Sequence, residues 1–310
     1  MDQSIKDKTK QDLFNFYNAE NRQDFYIAYL YLKHLRDFMS QVFNTLGMET
    51  VESEKPVDSS IAEILQLYVM QIAENAPSTE TNIYHGKVMK KEDATKLVTL
   101  NEPIDIKTPE RVVPFKVAKD MVLENPQAIS VGRCPCRAAR PSPCIPKGDQ
   151  EVCLIMGDPF AAFIAEHNPD FRHCSQSEAV AIIEKAHKRG DVHTAYFKKE
   201  LGNRFMAICN CCSCCCTGMV MWNKLNGAIP FLASSGYRAT INEDCTACGQ
   251  CADNICPFEA ITMNEDENQA NINHDKCMGC GVCVDNCSTN AISLNLDPSK
   301  GEPLDIDQLK

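Results

Sequence analysis

The stretch Cys245-Thr246-Ala247-Cys248-Gly249-Gln250-Cys251-Ala252-Asp253-Asn254-Ile255-Cys256-Pro257 is answered further on by Cys277-Met278-Gly279-Cys280-Gly281-Val282-Cys283-Val284-Asp285-Asn286-Cys287. Each places three thiols at i, i+3 and i+6, with a fourth cysteine after four or three intervening residues. Three thiolates so spaced can wrap three corners of one [4Fe–4S] cube from a single loop, and the fourth corner has to come from elsewhere. Structural zinc is the competing reading of C-x2-C pairs, but zinc takes two separated pairs and has no need of a triplet twice over. A disulfide framework fits less well still, because nothing else in the chain reads as a small secreted scaffold.

Short β-like runs flank both motifs. Tyr237 to Ile241 and Ala260 to Met263 bracket the first, Ala270 to Asn273 and Ala291 to Leu294 the second. The unit is an internal repeat, Cys245 and Cys277 being offset by 32 residues. Residues 237–294 resemble the bacterial two-[4Fe–4S] ferredoxin domain, a pseudo-twofold fold of two small hairpins and two short helices around the clusters. In that domain each cluster draws its fourth ligand from the other motif. The resemblance thus implies one cluster on Cys245, Cys248, Cys251 and Cys287, and a second on Cys277, Cys280, Cys283 and Cys256. The chain departs from the pattern twice. Four residues, where three are usual, precede Cys256, and Ser288 stands where a proline commonly follows the last cysteine.

Working outward, charge is unevenly placed. From Tyr237 onward thirteen Asp/Glu face four Lys/Arg, while the whole chain of 310 residues carries −11. Nucleic acid is a poor match for such a surface, since affinity for it rests on Lys and Arg neutralising phosphates. An acidic face suits docking on a basic patch of a redox partner protein or enzyme complex. Nineteen cysteines, a polar N-terminus without a signal-like apolar core, and no long apolar run together point to a cytoplasmic, reducing, anaerobic setting without a transmembrane segment.

The remaining sequence predicts an α+β protein in four parts. Residues 1–111 form a mainly helical region: a helix over 11–50 closed by Gly47, a second from Ser60 to Ile72, and a loop-rich stretch over 76–112. Its aromatic stripe serves as core or as an oligomer contact. Residues 112–236 form a cysteine-rich α/β domain, 237–296 the ferredoxin unit and 297–310 a tail. Within the middle part the pattern predicts a helix from Pro114 to Leu123, strands at 128–131 and 204–208, a helix from Gln176 to Arg189 behind a Ser175-x-x-Glu178 capping box, and a short helix near 218–225.

That middle part holds a second constellation. Cys134, Cys136, Cys144, Cys153, Cys209, Cys211, Cys212, Cys214, Cys215 and Cys216 are candidate metal ligands, with Arg133, Arg137 and Arg140 placed to offset their charge. Cys174 reads as an inert buried thiol. The ten could carry one or two further iron–sulfur clusters, a single larger assembly, or a dithiol pair that exchanges with disulfide. Gly132 to Arg137, Cys153 to Gly157, Asp191 to Ala195, Ile208 to Cys212 and Gly301 to Leu304 resemble a group of cysteine-rich 4Fe–4S dicluster proteins of anaerobic bacteria and archaea. The resemblance runs over 112–310 and implies cluster binding and redox work, with no substrate.

His193 reads as a structural residue that could alternatively ligate iron or relay a proton. His167 and His173 fall in a loop, and His34 and His187 on helix surfaces. No G-x-G-x-x-G or P-loop occurs, so nothing marks a flavin or nicotinamide site. The leading functional expectation is an electron-transfer protein or subunit. The alternatives are an oxidoreductase with a catalytic cluster or dithiol in 112–236, for which no catalytic residue is identified, and a scaffold for cluster delivery.

Overall fold

The computed structural model describes residues 2–17, 22–54, 56–74, 85–114, 120–202, 204–225, 227, 231–264 and 268–309. It contains both helices and strands, an α+β chain. Four helices open it: α1 Gln3–Phe16, α2 Arg22–Lys33, α3 Leu35–Thr45 and α4 Ser59–Glu74. Next come β1 His85–Met89, α5 Lys91–Val98, β2 Ile104–Lys107, β3 Asp120–Leu123, β4 Ile129–Arg133, α6 Pro135–Ala139, β5 Glu151–Met156, α7 Phe160–His167, β6 Phe171–Cys174, α8 Gln176–Lys188, β7 Val192–Lys198, β8 Arg204–Cys211, α9 Thr217–Lys224 and β9 Leu232–Ala233. The C-terminal unit adds β10 Tyr237–Ile241, β11 Ile261–Asn264, β12 Gln269–Ile272, α10 Val282–Asp285, β13 Ile292–Leu296 and α11 Ile306–Leu309.

One mixed sheet organises the chain, in the order β6-β4-β5-β8-β7-β1-β9, with the β2–β3 hairpin joined through β3 to the start of β8. Helices cover both faces. Phe16 of α1 meets Phe160 of α7 at 5.1 Å between ring centroids, and Tyr29 of α2 meets Phe163 at 5.4 Å. On the other face Ala94, Leu97, Ala179 and Ile183 of α5 and α8 pack with Leu304 and Ile306 of the tail. Coverage on both sides is why β7 is buried along its whole length, as central strands between two layers are. The aromatic stripe of the N-terminal region packs within the chain, against α7.

Several expectations need correction. The helix expected over 11–50 is three helices. It breaks after Tyr17 and again at His34, whose backbone (φ −122°, ψ 37°) leaves the helical region before α3 begins. Gly47 does close α3, at φ +66°, where Gly47 N–H bonds Asn44 and Met48 N–H bonds Phe43. The stretch expected to be loop-rich carries β1, α5 and β2, of which β1 pairs antiparallel with β7. The main sheet therefore crosses residue 111, where the N-terminal region was expected to end.

The helix expected to end at Leu123 is, over Asp120–Leu123, strand β3, paired Ile104 to Leu123 and Ile106 to Met121. Residues 115–119 of that expectation lie outside the described residues. A short apolar run does not itself distinguish strand from helix, and here the partner strand decides. His167 and His173, expected in a loop, end α7 and lie on β6.

The C-terminal unit forms two antiparallel ladders, β10 with β13 and β11 with β12, as its flanking runs suggested. The extra residue before Cys256 is taken up as a π-turn over Cys251–Ile255, closed by Cys256 N–H to Cys251 O at 3.3 Å. The second motif, one residue shorter, has an ordinary α-turn at α10. A one-residue insertion absorbed as a π-bulge keeps the following cysteine aimed inward.

Candidate iron–sulfur and thiol sites

The cysteines fall into four groups. In the C-terminal unit, Cys245, Cys248, Cys251 and Cys287 line one cavity together with Ile241, Ala270 and Ile292. Cys256, Cys277, Cys280 and Cys283 line a second, closed by Phe258, Ile261 and Leu294. Each cavity thus takes three thiols from one motif and one from the other. The donor chemistry fits a [4Fe–4S] cube. Backbone N–H groups point at the thiol sulfurs, Ala260 N to Cys256 Sγ and Ala291 N to Cys287 Sγ at 3.3 Å each, and Ala239 N to Cys277 Sγ at 3.5 Å. Such bonds stabilise thiolate and tune the potential of whatever it holds. Burial pushes the Cys280 thiol well up and that of Cys283 up to about 12.

The third group is a chamber between β5, β8, α6 and α9. Cys153 and Cys209 are cross-strand partners with sulfurs 4.0 Å apart. Cys209 and Cys211 share a face of β8 by the two-residue strand period, and Asn210 between them faces the other side. Cys134 caps α6, Cys136 lies in its first turn, and Cys216 caps α9. Tyr196 Oη stands 3.8 Å from both Cys211 and Cys216 sulfurs. Tyr31, the buried Lys198 and Cys212, the last also a member of the fourth group below, complete the wall. Hydrogen bonds from Cys136 and Cys211 hold Cys216 well below the ordinary thiol range, while Cys136 itself is pushed well up by its Cys134 and Cys216 neighbours.

The fourth group is Cys144, Cys212, Cys214 and Cys215, whose sulfurs all lie within 4.8 Å of one another. Cys144 therefore joins the β8–α9 turn and not the chamber. Arg137, 1 % exposed, stands between this group and the chamber. It donates to Asn210 O and to Asp191 Oδ1, both at 2.8 Å, and the nearby Cys134 and Cys212 thiols hold it protonated. The other two arginines point elsewhere, Arg133 to Gln150 at 2.8 Å and Arg140 to the Glu49 carbonyl at 3.0 Å. Cys174 sits on β6, apart from all four groups, and burial pushes its thiol up to about 12.

His193 is fully buried with both ring nitrogens engaged, Nδ1 by Asn210 Oδ1 at 2.7 Å and Nε2 by His187 Nδ1 at 3.1 Å. It has no free nitrogen for iron. His187, expected on a helix surface, is 3 % exposed, and its Nε2 lies 3.0 Å from the Asp285 carboxylate of α10. His34 is half-buried at the α2–α3 junction, where burial lowers it to about 4. Sequence reasoning missed Lys198, Tyr31 and Tyr196. No local signal marked them: Lys198 stands beside Lys199 and Glu200 at the end of Val192–Lys198, and only the buried strand β7 sets it against the thiols.

Residues 244–291 match the model of the 4Fe–4S dicluster domain. This part of the chain is a ferredoxin-like iron–sulfur domain. Comparison with curated proteins and with solved structures gives no match. Among the described residues no helix is long and apolar enough to cross a membrane.

Proposed function

We propose that the chain is an electron-transfer protein or subunit, in which the ferredoxin unit exchanges electrons with a redox group held in the six-thiol chamber and with a docked redox protein. The two ferredoxin clusters, ligated by Cys245, Cys248, Cys251 and Cys287 and by Cys277, Cys280, Cys283 and Cys256, supply one-electron storage. The residues around them supply the insulation and the route. The observation that carries this reading is one apolar cluster that contains Cys211, Cys216 and Met219 from the chamber side and Phe258, Met278, Cys280 and Val282 from the ferredoxin side. Cys256 packs against the same cluster. Packed apolar side chains thus lie between the two thiol sites.

The docking is built by specific contacts. Ser235 donates to Gly279 O at 2.7 Å, and Lys91 and His187 reach Asp285. Lys198 and Arg137 place positive charge beside the chamber, where a thiolate-bound cluster would be anionic. A reducing, cytoplasmic compartment agrees with nineteen cysteines, all of them free.

A second reading is favoured by one feature. The chamber has six thiols of its own besides Cys212 where a cube needs four, and it faces the Lys198 amine and the Tyr196 hydroxyl, so a catalytic cluster or dithiol with proton donors at hand fits the same walls. The deciding experiment is anaerobic purification of the full chain with iron, acid-labile sulfide and EPR, beside the Cys211→Ser/Cys216→Ser double variant. Iron above the content of two cubes that the variant loses, with its own reducible signal, supports the electron-transfer reading. Eight irons in both proteins would sink it, leaving a ferredoxin beside a metal-free thiol chamber.

A further inference from the structure

We infer that Cys144, Cys212, Cys214 and Cys215 hold a single tetrahedral zinc ion, and that no iron–sulfur cube occupies this group. Around one zinc at about 2.3 Å from each thiolate, tetrahedral geometry sets the sulfurs about 3.8 Å apart. The Cys214 and Cys215 sulfurs are 3.6 Å apart, and all four lie within 4.8 Å of one another. A cube puts four irons and four sulfides among its thiolates and holds them wider. The same molecule supplies the contrast. Among the described residues no other set of three His, Cys, Asp or Glu ligands converges so closely, and that includes both ferredoxin quartets.

The donor set points to the metal. Four thiolates with no further ligand make a closed, soft site, the signature of structural zinc, and zinc is held more tightly than ferrous iron in the usual order of affinities. Cys144 reaches the site from the loop after α6, and the other three come from the turn between β8 and α9. The buried Arg137, facing Cys144 and Cys212, offsets part of the negative charge of a tetrathiolate site. On binding, zinc displaces the remaining S–H protons to solvent, and no electron moves.

This inference is independent of what the chamber holds. Its test is metal analysis and zinc-edge X-ray absorption on the full chain, purified anaerobically with zinc present. The expected result is one zinc per chain with four sulfur neighbours at about 2.3 Å. Cys144→Ser and Cys214→Ser should each lose that zinc while the iron and acid-labile sulfide per chain stay unchanged. Absence of zinc from the wild-type protein, nitrogen or oxygen in its first coordination sphere, a single iron in its place, or loss of iron and sulfide together in the variants would each overturn the assignment. The absorption measurement on the wild type stands even if a variant fails to fold.

Discussion

At Lys198 an ammonium-bearing side chain, 4 % exposed, is buried against Cys136, Cys209 and Cys216, and burial pulls its pKa down while those thiols and Glu200 push it back. A protonated amine in the wall of a redox site favours the reduced form, and at an effective dielectric constant of about 20 the effect is on the order of 1 kcal/mol, or tens of millivolts for one electron. Lys198→Met is expected to lower the potential of the chamber's redox group by that order and to leave the ferredoxin potentials in place. Potentiometric EPR titration checks it, and an unchanged chamber signal would separate the lysine from the redox work.

Lys87 is a different case. It is 1 % exposed, donates to Glu302 O at 2.7 Å, and burial lowers it to about 7. Between pH 7 and the unfolded value of about 10.4 the unfolded chain keeps a proton that the folded chain has shed, so folding stability rises with pH across that window. Denaturant midpoints should climb from pH 7 to 10 and do so less steeply in Lys87→Met. Equal slopes would remove the lysine from the account. His193 shows what spacing leaves out. A structural role on a strand was expected for it, but its pairing with Asn210 and His187 needed β7, β8 and α8 to be brought together.

Among the elements, those with local signals were readable. Ser175 caps α8 by accepting from Glu178 N at 3.2 Å, and Gly190 at φ +93° ends it. Glu178 does not reach back in the capping-box manner but pairs with Arg172 at 2.6 Å. β5, α7 and β6, although divided by Gly157-Asp158-Pro159 and Asn168-Pro169-Asp170, have no capping residue or clear period of their own and surfaced only in the fold. The π-turn at Cys251–Ile255 was visible as an extra residue, and its conformation was not.

The loop carrying Cys277 and Cys280 is held against β10 at Gly279. With φ +64°, a Cβ there would lie 2.2 Å from Tyr237 O and 2.3 Å from Ser235 Oγ. Gly279→Ala is expected to cost roughly 2 kcal/mol or more and to lower the iron content of the ferredoxin unit. Normal iron per chain with an unshifted denaturation midpoint would show that this close approach is dispensable.

Over the whole molecule, the acidic excess lies in the same unit as the ferredoxin clusters, and the N-terminal helices and sheet cover the chamber from the other side. A field of that sign speeds encounter with cations and slows it with anions, within a Debye length of about 8 Å at physiological salt. Stopped-flow oxidation of the reduced chain by a cationic cobalt ammine should slow as salt is raised. Oxidation by ferricyanide should accelerate. Salt-independent rates for both would mean that the acidic residues serve solubility alone.

Spacing, with the resemblance it carries, was enough to predict the ferredoxin unit, because its thiols lie on two contiguous loops set by local turns, and the crossed pairing of each triplet with the other motif's last cysteine needed the two loops packed together. It also drew attention to the ten upstream cysteines. Their division into six around a chamber and four around one point was decided by the tertiary structure. Cys153 meets Cys209 only through strand register, and Cys144 meets Cys212 only because α6 and the β8–α9 turn are packed side by side. Contacts of that kind depend on which strands pair and which helices cover them, and no periodicity in the chain encodes them.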